Sequence, residues 1–216
     1  MKALVQSDFD GTITEEDVSS FLLEDFAQGD WRRLLREYRE GRISVADLNI
    51  GAFSMIHADK ATLLGALKGR VRVRPGFSEL VDYCLNNGVR FVIVSNGLDF
   101  YIDAVLKDMG LETIEVHSAR AHFHPEGMRV HYIGPDGNLL EDGFKEAYTR
   151  SFLRQEYRVT YMGNGNSDTV PAGYAHHVFA TGELLAHCRE NSMNCNPLES
   201  FSGVVRALKQ ILQLQI

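Results

Sequence analysis

Asp8 and Asp10 stand two residues apart at the end of a short apolar run, Ala3–Ser7. Side chains at that spacing on an extended chain point the same way. Two carboxylates so placed repel each other unless a divalent cation resolves the conflict. Oxygen-only ligation with few carboxylates suits magnesium, which completes its shell with substrate phosphate and water. One carboxylate can then attack phosphorus to give an aspartyl-phosphate. The other can protonate the leaving oxygen and later activate water.

Other groups suited to the same chemistry recur along the chain. Ser95, Asn96 and Gly97 close the apolar run Arg90–Val94, and a polar, glycine-rich stretch runs from Gly163 to Asp168. A serine hydroxyl and exposed backbone N–H groups are fixed donors for a transferring phosphoryl group, and Lys145 is a point charge for it.

These residues must be positioned by an alternation of elements. Strands are expected at 3–7, 90–95, 112–118, 158–162 and 177–180, and helices at 77–86, 99–109, 142–156, 183–191 and 202–213. Two alternating segments, 119–124 and 128–134, predict a hairpin. Residues 15–70 carry only helical spacing, with Asp30, Ser44 and Asp59 as N-caps. Strands alternating with helices imply a parallel sheet with right-handed crossovers, whose ligands bind at the strands' carboxyl ends. The expected architecture is α/β: a Rossmann-like core, residues 1–14 and 71–216, with a small helical cap, 15–70, inserted after the first strand.

Asp8-Phe9-Asp10-Gly11-Thr12 resembles the first motif of the haloacid dehalogenase-like hydrolases. Ser95 resembles their second motif, Lys145 the third and Gly163–Asp168 the fourth, in the same order. A cap between the first two motifs is similar to the phosphoserine-phosphatase-like branch. Ser95 to Phe100 is similar to the Ser-Gly-Gly-Met-Asp-Phe stretch of the methionine-salvage phosphatases acting on 2-hydroxy-3-keto-5-methylthiopentenyl-1-phosphate. Phe179-Ala180, Leu184-Leu185, Cys188-Arg189 and Phe201 fit the same pattern.

The resemblance implies Asp8 as nucleophile, Asp10 as acid/base and Lys145 as the neutralising cation. It implies phosphate contacts from Ser95, Asn96, Gly97, Thr12 and Lys145, and a substrate-recognising acid at Asp17. It implies Mg²⁺ held by Asp8, Asp10, Asn164 and Asp168. Two departures stand out. The fourth motif usually carries Asp where this chain has Asn164, and relatives carry a cap arginine where this chain has Gly51. The implied reaction is hydrolysis of a small phosphorylated metabolite, with methionine salvage ahead of phosphoserine or a phosphoamine. A phosphotransferase, or a weakened binding protein because of Asn164, is the competing reading.

Plainer roles exist for the same residues: a solvated loop end for Asp8 and Asp10, an exposed helix position for Lys145, a strand-end turn for Ser95, an N-cap for Asp168. His117, His122, His124 and His131 lack a second ligand pair at useful spacing, so no zinc site is expected. A net charge of −7 argues against nucleic-acid and polybasic membrane partners. Three cysteines without a C-x-x-C pair fit a reducing cytoplasm. No apolar run reaches the roughly 20 residues of a membrane span. A monomer or homodimer is expected.

Overall fold

The computed structural model describes residues 2–213. Its centre is β1 (Lys2–Ser7), flanked by β2 (Arg90–Leu98) and β6 (Tyr157–Gly163). The sheet continues through β3 (Glu115–His122), β4 (Arg129–Ile133) and β5 (Leu139–Leu140) on one side. On the other lie β7 (His177–Ala180) and β8 (Asn196–Pro197), giving the order β5-β4-β3-β2-β1-β6-β7-β8. All pairings from β3 to β8 are parallel, and β4 and β5 join antiparallel. The chain winds outward from β1 to β3 and returns to the other side of β1 at β6. That reversal opens a crevice at the carboxyl ends of β1, β2 and β6, where the three polar segments begin. Leu4, Val5, Val92, Ile93, Val94 and Val159 are fully or nearly fully buried, as strands covered on both faces require.

Residues 15–70 hold four helices and no strand: α1 (Val18–Phe26), α2 (Trp31–Arg39), α3 (Val45–Phe53) and α4 (Lys60–Leu67). Each start is locally encoded. Asp30 and Asp59 accept the N–H of Arg33 and Thr62, and Ser44 forms a capping box with Asp47. Asp17 is the N-cap of α1 and accepts the N–H of Ser20 at 3.0 Å. The two chain passages joining this block to the sheet pair with each other through an antiparallel Thr14–Val73 bridge. Arg74 ties the same point down, donating to the carbonyls of Thr12 and Gly11 at 2.9 and 3.1 Å. Val18, Leu22, Phe53, Ile56 and Leu63 belong to the same apolar cluster as the sheet core. Burying each stabilises that contact by about 1.5–3 kcal/mol.

Among the described residues the remaining helices are α5 (Phe77–Asn86), α6 (Asp99–Asp108), α7 (Phe144–Arg154), α8 (Thr169–Tyr174), α9 (Gly182–Glu190) and α10 (Phe201–Gln213), with a 3₁₀ turn at Asn166–Asp168. Three features depart from the sequence expectation. The predicted break between a strand ending at 118 and a hairpin arm starting at 119 does not exist. β3 runs through, its first half pairing parallel with β2 and its second antiparallel with β4. β2 extends past Ser95 to Leu98 through an irregularity between those residues. The short β5 and β8 were not expected; each is only two residues long, too short for periodicity to register. The hairpin also docks on the helices: Met128 N–H donates to the Ile56 carbonyl at 3.0 Å. Gly127, at φ +116°, passes so close to Ser54 that any Cβ there would collide with its carbonyl.

Candidate active site

Asp8 leaves the end of β1 and is almost fully buried. Its Oδ1 accepts the N–H of Phe9 at 2.7 Å, and its Oδ2 lies 2.7 Å from Lys145 Nζ. Lys145, on the first turn of α7, is itself 3% exposed and lies 2.7 Å from Asp168 Oδ1 as well. One buried ammonium thus bridges two buried carboxylates, so removing the ammonium would leave both carboxylates without a cation, whereas either carboxylate can be lost with the other still paired. Burial pushes the Asp8 carboxyl up to about 6, against the lowering pull of Lys145. Burial favours a neutral Lys145, but Asp168 and Asp8 outweigh it and hold the ammonium above the usual lysine range. Burial would also raise Asp168; Lys145 outweighs it and holds that carboxyl low.

Asp168, one of the expected metal ligands, is committed elsewhere. Oδ1 accepts from Lys145 and from the Tyr161 hydroxyl at 2.6 Å, and Oδ2 from the N–H groups of Asn164 and Gly165 at 3.0 and 2.9 Å. A carboxylate has about four acceptor positions. All four are used, so none remains for a cation. Nor does the side chain cap the helix that follows it. It holds the lysine and the 164–165 turn in place.

Asp10 is held by groups other than those that hold Asp8. Its Oδ1 accepts the N–H of Val18 at 3.0 Å, its Oδ2 the hydroxyl of Tyr101 at 2.5 Å. The two acids therefore have separate hydrogen-bond partners. Burial first, and Asp17 second, push the Asp10 carboxyl well above its usual range.

Ser95, 1% exposed, accepts the N–H of Gly97 at 3.0 Å. Thr12, expected at the phosphate, is fully buried and donates its hydroxyl to Asn164 Oδ1 at 3.1 Å. Asn164 packs over Gly11, whose φ of +70° and lack of a Cβ permit the contact. Thr12 and Asn164 thus clasp the first and last polar segments together.

A cavity of about 610 Å³ gathers Asp8, Asp10, Asp17, Ser95, Asn96, Gly97, Lys145 and Asn164 on its walls. The helical block supplies Ser19, Tyr38, Arg39 and Asn49, and α9 supplies Glu183 and His187. Thr12 and Asp168 do not line it.

Several contributors were missed in the sequence. The Asn49 amide donates to the Asn96 carbonyl at 2.9 Å and to the Tyr132 hydroxyl at 2.7 Å, tying α3 to the second polar segment. Gln6 holds the start of α7 through the Lys145 carbonyl at 3.4 Å, and Thr149 donates to Gln6 Oε1 at 2.8 Å. The signal for Gln6 was present: an amide at a fully buried position of an otherwise apolar strand needs a partner. The cation of the helical block comes from Arg39 on α2. Gly51, where an arginine was sought, instead lets α3 approach Leu34. Among the described residues no three His, Cys, Asp or Glu side chains form a metal cluster. His122 and His131 stack at 4.8 Å, and His117 stacks on Tyr148 at 4.1 Å.

Residues 5–170 match the haloacid dehalogenase-like hydrolase family. The chain belongs to that family. Similar proteins match it over nearly its whole length. It is 27% identical to Pdp3-interacting factor 1 of Schizosaccharomyces pombe, covering 96% of this chain and 95% of that one. It is 25% identical to the 2-hydroxy-3-keto-5-methylthiopentenyl-1-phosphate phosphatase of Brevibacillus brevis, covering 98% and 97%. The same enzyme of Geobacillus kaustophilus is 28% identical, covering 94% of both. In fold, it superposes on a substrate-bound phosphoserine phosphatase with a TM-score of 0.70 at 16% identity, over 96% of this chain and 98% of that one. No helix among the described residues is long and apolar enough to cross a membrane.

Proposed function

We propose that this phosphoric monoester hydrolase of the haloacid dehalogenase-like family cleaves a small phosphorylated metabolite through an aspartyl-phosphate on Asp8. The observation that carries the reading is the Lys145 ammonium, 2.7 Å from both Asp8 and Asp168, on the wall of a cavity shared with Ser95 and Asp10. A buried cation beside a carboxylate keeps it ionised and draws a phosphate dianion toward it. Asp8 attacks phosphorus. As the P–O bond to the leaving group breaks, its electron pair stays on the ester oxygen, which takes a proton from Asp10. Asp10 then removes a proton from water, the water oxygen attacks the acyl phosphate, and the Asp8 carboxylate is released with inorganic phosphate. The Ser95 hydroxyl and Lys145 carry the phosphoryl oxygens' charge throughout.

The donor set at the cavity fits Mg²⁺ with a reduced charge. Asp8 retains acceptor capacity on both oxygens and Asn164 Oδ1 has one protein donor at 3.1 Å; the family resemblance would add the Asp10 backbone carbonyl as a third protein oxygen. Magnesium asks for one or two carboxylates, with phosphate and water completing its shell. When bound, the ion supplies Lewis-acid stabilisation of the phosphoryl group.

Residues 15–70 act as a cap whose Asp17, Tyr38, Arg39 and Asn49 face the leaving group. The names of the relatives favour a methionine-salvage metabolite as substrate. A phosphate-release screen over phosphorylated metabolites with Mg²⁺ tests the reading. The expected result is turnover of 2-hydroxy-3-keto-5-methylthiopentenyl-1-phosphate above phosphoserine, with one phosphoryl group trapped on Asp8 by rapid quench. Turnover with no adduct on Asp8 would refute the mechanism, and no turnover of any ester would refute the activity.

A further inference from the structure

We infer that Tyr101 is a positioning residue that aims the acid/base Asp10 at the leaving-group oxygen, an inference resting on the phosphatase reading above. Tyr101 sits on the first turn of α6, six residues beyond Ser95. It is fully buried and does not line the 610 Å³ cavity, so it cannot touch substrate and must act through another group. Its hydroxyl donates to Asp10 Oδ2 at 2.5 Å. With that proton committed, it accepts from the Ser19 hydroxyl, 2.8 Å away on the first turn of α1. The result is a directed chain: Ser19 O–H to Tyr101, Tyr101 O–H to Asp10.

The other Asp10 oxygen is held by the Val18 N–H at 3.0 Å, from the same turn of α1. One donor on each oxygen fixes the plane of the carboxyl group and leaves on each oxygen an acceptor position for the transferred proton. Gly97 keeps the arrangement open. A Cβ there would collide with both Asp10 Oδ2 and the Tyr101 hydroxyl. The irregularity of β2 between Ser95 and Leu98 places Gly97 directly against this pair.

A tyrosine used only to fill the core would need no hydroxyl. Burying the hydroxyl costs free energy unless it is bonded, and here one bond goes to the acid while the other comes from Ser19. Two of the three groups that orient Asp10, Ser19 and Val18, come from the helical block. Docking of α1 on the core therefore completes the acid, which links capping of the cavity to protonation of the leaving group.

Leaving-group dependence isolates this role. A weakly basic nitrophenolate departs without proton help, whereas a more basic phenolate or an alkoxide needs the acid. Activity of the full chain with Mg²⁺ is measured on aryl phosphates from p-nitrophenyl to p-methoxyphenyl phosphate, and on glycerol 3-phosphate. For Tyr101→Phe, kcat should fall about tenfold or more on the most basic leaving group hydrolysed, the size of one hydrogen bond to a charged group. It should fall less than about threefold on p-nitrophenyl phosphate, so that the plot of log kcat against leaving-group basicity steepens. Ser19→Ala should steepen it in the same direction by less. In the Asp10→Asn background, Tyr101→Phe should add nothing further. Parallel plots for wild type and Tyr101→Phe would overturn the inference. Should Tyr101→Phe not fold, unchanged steepness in Ser19→Ala overturns it. If wild type hydrolyses none of these esters, the inference falls together with the phosphatase reading; if it hydrolyses them with parallel plots, only the inference falls.

Discussion

Asp8, Lys145 and Asp168 form a unit in which one ammonium serves two carboxylates. Asp8→Asn retains the shape and one acceptor but removes the nucleophilic charge. Turnover should drop by at least about a thousandfold, since covalent attack and charge pairing are lost together, while circular dichroism stays unchanged. Activity within tenfold of wild type would exclude Asp8 as nucleophile. Asp168→Ala acts differently: the ammonium keeps Asp8, but the Tyr161 hydroxyl and the N–H groups of Asn164 and Gly165 lose their acceptor. Each buried donor left unsatisfied costs about 1–3 kcal/mol, so urea unfolding should report a loss of about 3 kcal/mol or more. Asn164→Asp brings a carboxylate to the cavity wall where the fourth motif usually has one. Half-saturation by Mg²⁺ should tighten roughly tenfold, by comparison with the 10- to 100-fold cost of defects in a metal's supporting shell. Magnesium titration at saturating substrate checks it, and equal dependence in both forms would remove position 164 from the ligand set.

The elements meet at positions where a side chain is excluded or a cap is required. Gly76 precedes α5 at φ +85°, and a Cβ there would stand 2.5 Å from the Ser202 N–H at the start of α10. Gly76→Ala combines backbone strain with a backbone clash and should destabilise the chain by at least about 1 kcal/mol, read as a lower urea midpoint with an unchanged slope. Asp17 caps α1 from the cavity mouth, so Asp17→Ala should do two things. Removing the cap costs about 1 kcal/mol. The frayed first turn carries Val18 and Ser19, which orient Asp10 and Tyr101, so activity on basic leaving groups should fall more than activity on p-nitrophenyl phosphate. An unchanged substrate ranking would restrict Asp17 to capping.

Across the whole molecule, stability should depend on pH through histidines as well as through the buried acids. His131 is held below its ordinary value of 6.5, first by burial and then by His122 and Arg120, with Asp99 opposing. Below pH 6.5 the unfolded chain takes up a proton that the folded chain resists. Stability from this group is therefore full above about pH 6.5 and declines as pH falls toward the folded-state value. His131→Gln should flatten that part of the melting-temperature profile between pH 7 and 5.5. An identical slope in the variant would show that other groups dominate it.

The local signals were the ones legible in the sequence. Asp30, Ser44 and Asp59 cap helices because a cap needs only its own next three residues. The buried strands β1, β2 and β6 announced themselves as apolar runs ending in polar residues, and the parallel order that brings those ends together follows from alternation with helices. Asp8, Asp10, Ser95 and Asn164 were therefore identifiable as neighbours before any geometry was known, and the family resemblance added Lys145. Which way each side chain turns was not identifiable, because that depends on partners far away in the chain. Asp168 is 23 residues from Lys145, and Asp10 is 91 from Tyr101. Thr12 was expected at phosphate, but its hydroxyl is drawn to Asn164, 152 residues on. The run of β3 through residue 118 is likewise a tertiary decision, since its two halves differ only in which neighbour they pair with, parallel β2 or antiparallel β4. Residue types and their order determined the chemistry available to this protein; long-range hydrogen bonds, which no local pattern encodes, decided how each group is held to perform it.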